Sequence, residues 1–323
     1  MIRILAADIG GTKTLLQLSE FNDRSFRLLY EERYSSQDYA SFDELLTAFL
    51  RDTGQTGIDH ACFAIAGPVS TDGSSANVTN LPWQLQRDRL VKTYNINHVT
   101  LINDFHAVAA GIDTLSGDEL QILQQGQPQT PGTQLVIGAG TGLGVALRIW
   151  TGSAYQVLAT EAGHAGFAPA NEQQQRLLSF LASRYTIVSR EQVLSGQGLV
   201  NIYQFICEED TTTARDIDAA QISHLADQGD DHCRRALALF FDIYGSECGN
   251  LALATLPFAG IYIAGGIAAK NLGALVQSGF IAAFCHKSKM QGLLTDMPVF
   301  IIKNEAVGLS GARHVAALNV NKP

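Results

Sequence analysis

Asp8-Ile-Gly-Gly-Thr-Lys-Thr14 and Gly138-Ala-Gly-Thr-Gly-Leu-Gly144 decide the fold, because they write the same glycine-threonine loop twice, each between apolar runs. Placing Gly11-Thr12 over Gly140-Thr141 sets Leu15-Leu16-Gln17-Leu18 over Gly144-Val145-Ala146-Leu147, and the apolar run at 2 to 7 precedes the first loop as the run at 134 to 138 precedes the second. Each copy reads as a strand, a tight turn and a returning strand. The glycines are expected where the backbone takes positive φ or closely approaches a ligand. Consecutive N–H groups in such a turn form an anion-binding concavity, to which the Thr12 or Thr141 hydroxyl adds a donor. Two such loops at matching positions imply two phosphate clamps rather than two ordinary hairpins. Other nucleotide signatures fail on spacing. The dinucleotide fingerprint needs glycine where Leu143 stands, and a Walker loop needs its lysine directly after a glycine, whereas Lys13 follows Thr12.

The chain has 323 residues, of which 46% are hydrophobic, enough for two domains with their own cores. Against 31 Asp and Glu stand 22 Lys and Arg, and the resulting net charge of −9 offers no general attraction to nucleic acid or anionic membrane. The first eight residues already read as strand, without a basic leader or a long apolar span, so a signal peptide and a membrane helix are not expected and a cytoplasmic location is. Five scattered cysteines, Cys62, Cys207, Cys233, Cys248 and Cys285, show no zinc spacing and read as reduced, structural thiols. Cys62 lies in a strand-like run with Phe63, Ile65 and Ala66, where a thiol acts as a small apolar filler.

In the first half, strands are expected near 2 to 7, 14 to 19, 26 to 33, 60 to 66 and 98 to 102. Ser41-Phe-Asp-Glu44 forms a capping-box signature, and Phe42, Leu45, Leu46, Phe49 and Leu50 recur at helical spacing, which predicts a helix over 42 to 51 on one sheet face. The second half opens with strands at 134 to 138 and 144 to 149. Helices follow at 171 to 184, 198 to 209, 216 to 226 and 231 to 255. Gly260-Ile-Tyr-Ile-Ala-Gly-Gly-Ile267 reads as a buried strand running into a double glycine, and Pro298 to Ile302 as a strand before a helix at 307 to 318. The stretch 119 to 133, rich in Gln, Pro and Gly, reads as a loop between elements.

Polar residues beside these strands carry the chemistry. Val99 to Ile102 is a strand ending in Asn103-Asp104, after which Phe105, Val108, Ala109 and Ile112 begin a helix. A carboxylate at such a junction is either an N-cap or part of a ligand site, since open α/β sheets gather ligands at strand ends. Glu161-Ala-Gly-His164 sets an acid and an imidazole three apart, but the glycines at 163 and 166 favour a loop over a metal-binding helix. Glu191, ahead of Val193-Leu-Ser-Gly-Gln-Gly198, would pass alone for a solvated surface acid.

Taken together, the chain resembles the bacterial glucokinases of the sugar-kinase, actin and heat-shock ATPase superfamily. The resemblance spans nearly the whole chain. It is carried by Asp8 to Thr12, Asn80-Leu-Pro-Trp83, Ile102-Asn-Asp-Phe105, Gly138 to Gly144, Glu161 to His164, Glu191-Gln-Val-Leu-Ser-Gly196 and Ile263-Ala-Gly-Gly-Ile267, in order. The related repressor and kinase family carries a cysteine-rich zinc motif after its Gly-His element; none stands here, which places the likeness on the zinc-free branch. Lys13 departs from a relative with asparagine at that position. The resemblance implies a duplicated actin-like (ribonuclease H-like) α/β fold with two domains flanking a cleft, 1–106 with 305–323 and 107–304.

The resemblance further implies transfer of phosphate from ATP to the 6-hydroxyl of glucose. By family match Asp104 accepts the hydroxyl proton, while Asn80, Asn103, Glu161, His164 and Glu191 hold the sugar. Asp8 would hold Mg²⁺ through water, Gly10, Gly11 and Thr12 with Gly138, Gly140 and Thr141 would grip phosphates, and Gly265 and Gly266 would let adenosine lie against backbone. Glucose and ATP are the implied partners, without nucleic acid or membrane, and a homodimer is allowed. Three other readings compete. A sugar-responsive repressor would need a helix-turn-helix before the first loop, where seven residues precede Asp8. A non-catalytic actin-like ATPase would lack the sugar-binding polar set. A kinase for another hexose would share every motif.

Overall fold

The computed structural model describes residues 1–22, 25–55 and 57–321 and divides into two compact units. The first consists of residues 1–116 and the stretch from 306 onward, the second of 117–305.

The first unit is built on five strands, β1 (Ile2–Ile9), β2 (Lys13–Phe21), β3 (Phe26–Ser35), β4 (His60–Ile65) and, beyond the small β5 (Ser75–Asn77) and β6 (Gln84–Gln86) hairpin, β7 (His98–Asn103). Their order is β3-β2-β1-β4-β7, with the first three antiparallel and β4 and β7 parallel to β1. Alternation along β1 shows why both faces must be covered: Leu5, Ala7 and Ile9 enter one core, Ile4 and Ala6 the other. The first face takes α1 (Phe42–Thr53), whose Phe42, Leu45, Leu46 and Phe49 are buried. On the second face, α3 (Asp104–Gly111) packs with the C-terminal α12 (Val307–Leu318). That packing needs glycine at the crossing, since a Cβ on Gly311 would lie 1.8 Å from the Ala107 carbonyl oxygen. Because α3 is tied to α12 in this way, the first unit runs on to Ser116 rather than stopping at 106. Between β6 and β7, α2 (Arg87–Tyr94) is a helix that the sequence pattern does not mark.

The second unit begins with β8 (Leu120–Gln124) and continues through β9 (Gln134–Ala139), β10 (Leu143–Trp150) and β11 (Tyr155–Thr160). Four helices follow, α4 (Glu172–Ala182), α5 (Gly196–Glu209), α6 (Ala219–Asp227) and α7 (Asp231–Thr255). After β12 (Gly260–Ala264) come the short α8 (Gly266–Lys270), α9 (Leu272–Gln277), α10 (Phe280–Cys285) and α11 (Gln291–Thr295), then β13 (Val299–Ile302). The sheet order is β11-β10-β9-β12-β13-β8. Apart from β8 this repeats the first sheet's order and strand directions, an antiparallel three-strand meander followed by two strands parallel to its first member. One large core, centred on α7 and including Phe240, Tyr244 and Phe280, fills the unit.

Two local expectations are corrected. Residues 120–124 are not loop but an edge strand antiparallel to β13, held also by Gln124, whose Nε2 donates to the Leu294 and Met297 carbonyls at 2.8 and 2.7 Å. At α1, Ser41 Oγ accepts from Glu44 N at 3.2 Å as a capping box requires, but the Glu44 carboxylate bonds Ala40 N, one residue before the cap. All five cysteines are free, and burial pushes the Cys62 thiol well above its ordinary range.

Candidate active site

Register in the first sheet gathers the polar residues at one edge. Ile9 pairs with Ile65 and Ile65 with Asn103, so the chain leaves β1, β4 and β7 at the same carboxyl end. There the first glycine-threonine loop closes with Gly10 N donating to Lys13 O at 3.0 Å, while Ser36 holds it from the side, its Oγ donating to Gly10 O at 2.7 Å and its N to Thr12 O at 2.9 Å. A Cβ on Gly11 would stand 2.9 Å from Thr79 O, so the loop lies directly on the Thr79-Asn80 turn. Asn80 takes φ 65° there, and the turn is anchored by buried Trp83, whose carbonyl accepts from Val78 N at 3.0 Å. The Thr12 hydroxyl side of the loop is exposed.

Asp8, the penultimate residue of β1, meets the first turn of α12; a Cβ on Gly308 would lie 3.4 Å from its Oδ2. Burial raises the Asp8 carboxyl above its ordinary value, and the nearby Lys13 charge pulls it partly back. Two strands away, Asn103 and not Asp104 is the cap of α3, its Oδ1 accepting from Phe105 N at 2.9 Å and His106 N at 3.4 Å. Its Nδ2 donates to Gly67 O at 3.3 Å. Asp104 is the first helical residue, and its Oδ1 accepts from Phe105 N at 2.8 Å, a donor it shares with the Asn103 cap.

In the second sheet, Ala264 pairs with Gly138, which brings the loop after β9 and the Gly265-Gly266 turn to one edge. Gly138 itself is buried within β9, opposite Gly144 on β10, so the turn proper consists of Gly140, exposed Thr141 and Gly142. None of the loop glycines at 10, 11, 140 or 142 lies in the left-handed region, so of the two reasons expected for glycine here positive φ does not apply. The turns close through Gly10 N to Lys13 O and Gly140 N to Gly142 O instead, and a Cβ on Gly140 would meet nothing within 4 Å. Gly265 does require glycine, with φ 88° and a would-be Cβ 2.3 Å from Ala139 O. Gly265→Ala is expected to lower the thermal midpoint by about 2–8 °C, from roughly 1–3 kcal/mol of backbone strain. A midpoint equal to that of the native chain would show that this junction yields without cost.

Glu161, His164 and Glu191 converge. His164 Nε2 lies 3.8 Å from Glu161 Oε2 and its Nδ1 lies 3.9 Å from Glu191 Oε1, close pairs but longer than hydrogen bonds. Glu191 Oε2 accepts from Leu143 N at 2.9 Å, which ties this acid to the second loop. Residues 162–164 form a single 3₁₀ turn rather than open loop, and Gly163 is needed there because a Cβ would lie 2.1 Å from Leu143 O. Among the described residues no three His, Cys, Asp or Glu side chains are grouped to hold a metal ion. Nor is any described helix long and apolar enough to cross a membrane.

Two features at these sites carry no local sequence signal, the α12 turn against Asp8 and a buried Glu247 bonded to Arg190 beside Glu191. Both join residues far apart in the chain.

A family model described as Glucokinase matches residues 5–319. The glucokinase of Nostoc punctiforme is 42% identical, over 98% of this chain and 99% of its own length. Among solved structures, a glucokinase from an Antarctic psychrotroph superposes with a TM-score of 0.87 at 30% identity, covering 98% of this chain and 99% of that one. A glucokinase from Balamuthia mandrillaris, solved in complex with glucose, superposes at 0.81 over 98% and 94% of the two chains; at 24% identity that likeness speaks for the fold. The chain belongs to the glucokinase family.

Proposed function

We infer that this enzyme transfers the terminal phosphoryl group of ATP to the 6-hydroxyl of glucose, giving glucose 6-phosphate and ADP. The observation that carries the reading is the placement of Asp104 at a strand end where Asn103 does the capping. A carboxylate in that position is suited to accept a hydroxyl proton as the oxygen attacks phosphorus.

The other assignments follow from the same chemistry. Adjacent sugar hydroxyls need paired acceptors and donors, which Asn80, Asn103, Glu161, His164 and Glu191 supply. The gaps of 3.8 and 3.9 Å around His164 are of a size that a hydroxyl group would bridge. With the Gly10 and Gly140 N–H groups closing their own turns, the loops Gly10 to Thr12 and Gly140 to Thr141 offer phosphate oxygens the N–H groups of Gly11, Thr12 and Thr141 and the side chains of two exposed threonines. Gly265 and Gly266 leave backbone open to the adenosine. Mg²⁺ commonly keeps most of its waters and needs only one carboxylate plus phosphate oxygens, which fits a lone Asp8 whose buried charge a cation would stabilise. When bound, such an ion neutralises charge on the phosphates. The shared order of the two sheets supports a duplicated actin-like ATPase fold, and free thiols accord with a cytoplasmic setting.

A coupled ADP-release assay across glucose, mannose, fructose and glucosamine derivatives tests the reading. Glucose is expected to give the highest kcat/KM. Turnover of another hexose with glucose inert would move the chain to a different sugar kinase, and ATP hydrolysis indifferent to every sugar would favour the non-catalytic actin-like alternative.

A further inference from the structure

Glu247 is fully buried on α7, and its carboxylate has three donors. Oε1 accepts from Ala168 N at 3.0 Å, and Oε2 from Arg190 Nε at 2.9 Å and Asn250 Nδ2 at 3.1 Å. Arg190 continues the chain of contacts, its guanidinium donating to Ala162 O at 3.0 Å and its own N to Ala165 O at 2.9 Å. Phe167 N donates to Val188 O at 3.0 Å, and Gly166 bridges Ser189. Two segments are thereby clasped together, 160–168 with Glu161 and His164, and 188–194 with Glu191. One carboxylate on a long core helix reaches both of them. On the far side, Lys287 Nζ donates to Asn250 Oδ1 at 2.7 Å and to Ser246 O at 2.9 Å, which fixes the amide that fixes the carboxylate.

A buried ion pair is a poor source of stability, because well-packed apolar residues of similar volume serve the fold as well or better. What apolar residues cannot supply is direction. Here each oxygen of one acid is committed to a different segment, and Arg190 adds a third fixed point on the carbonyl of Ala162, which lies between Glu161 and His164. Building on the glucose-kinase reading above, we propose that Arg190 and Glu247 are positioning residues for the sugar, setting the spacing of Glu161 and His164 from Glu191.

Two variants test this in the full-length enzyme. Glu247→Gln keeps the shape but leaves one oxygen to serve donors from both segments. Arg190→Met with Glu247→Leu replaces the pair by apolar groups and tolerates loss of the charge. Each is expected to raise the glucose KM by about 10-fold, the equivalent of one hydrogen bond lost among the sugar contacts, with the ATP KM within about twofold of the native value. In the double variant, which leaves Ala168 N and the Asn250 amide without their acceptor, the thermal midpoint is expected to fall by about 3–10 °C with the enzyme still folded at the assay temperature. A native glucose KM in the folded double variant overturns the proposal. So does a lower kcat with both KM values unchanged, the signature of a smaller folded fraction, or failure of both variants to fold. A native enzyme that does not phosphorylate glucose would strike at the kinase reading itself, a result obtained before either variant is made.

Discussion

Asp104→Asn is expected to lower kcat by about 10²–10⁴-fold, the range for removing a general base. The substitution is nearly isosteric, and the cap of α3 is carried by Asn103, so the helix start should survive it. Glucose KM is expected to move much less than kcat, because an amide still accepts a hydrogen bond from the sugar hydroxyl but takes up its proton poorly. Steady-state kinetics with circular dichroism as a folding control measure both. A near-native kcat would remove Asp104 from the chemistry and leave the proton to another acceptor.

The second large effect is expected at Gly140→Val. Position 140 is outside the left-handed region and a Cβ there has open space around it, so the variant should fold with little strain. That makes it a cleaner probe than a glycine substitution usually is. The valine methyl groups would occupy the room in which phosphate oxygens approach the turn. Loss of about two charge-assisted hydrogen bonds corresponds to an ATP Kd raised by roughly 10²-fold or more. Calorimetry should show glucose binding retained. Unchanged ATP affinity in a folded variant would sink the assignment of this loop to phosphate.

The glycine-threonine hairpins were legible in the sequence because a tight turn between two apolar strands leaves a local mark, and β1-β2 and β9-β10 both follow it. The long helices were legible from length and caps: α7 runs 25 residues behind the Asp230 cap with no proline inside. Elements of five or six residues, such as α8 to α11, are too short for a period to emerge, and their N-caps make no side-chain hydrogen bond. Strand β8 hid among turn-forming residues because its pairing partner lies at the far end of the second unit. A glycine in the sequence does not say whether it serves positive φ or close approach, and Gly11 and Gly163 serve close approach to a neighbouring carbonyl. Glu161, His164 and Glu191 could be picked out one by one, but the Arg190–Glu247 clasp behind them spans 57 positions and has no local signature.

The closing helix of the first unit has a consequence for the order of synthesis. One face of the first sheet, covered in part by α3, is not closed until α12, some 300 residues after β1, has been made. The second unit is continuous in the chain and is complete before that helix appears. Until then β1 to β7 carry an apolar face with Ile4, Ala6, Cys62 and Ala64 that α3 shields in part, so the first unit completes its core after the second has been made.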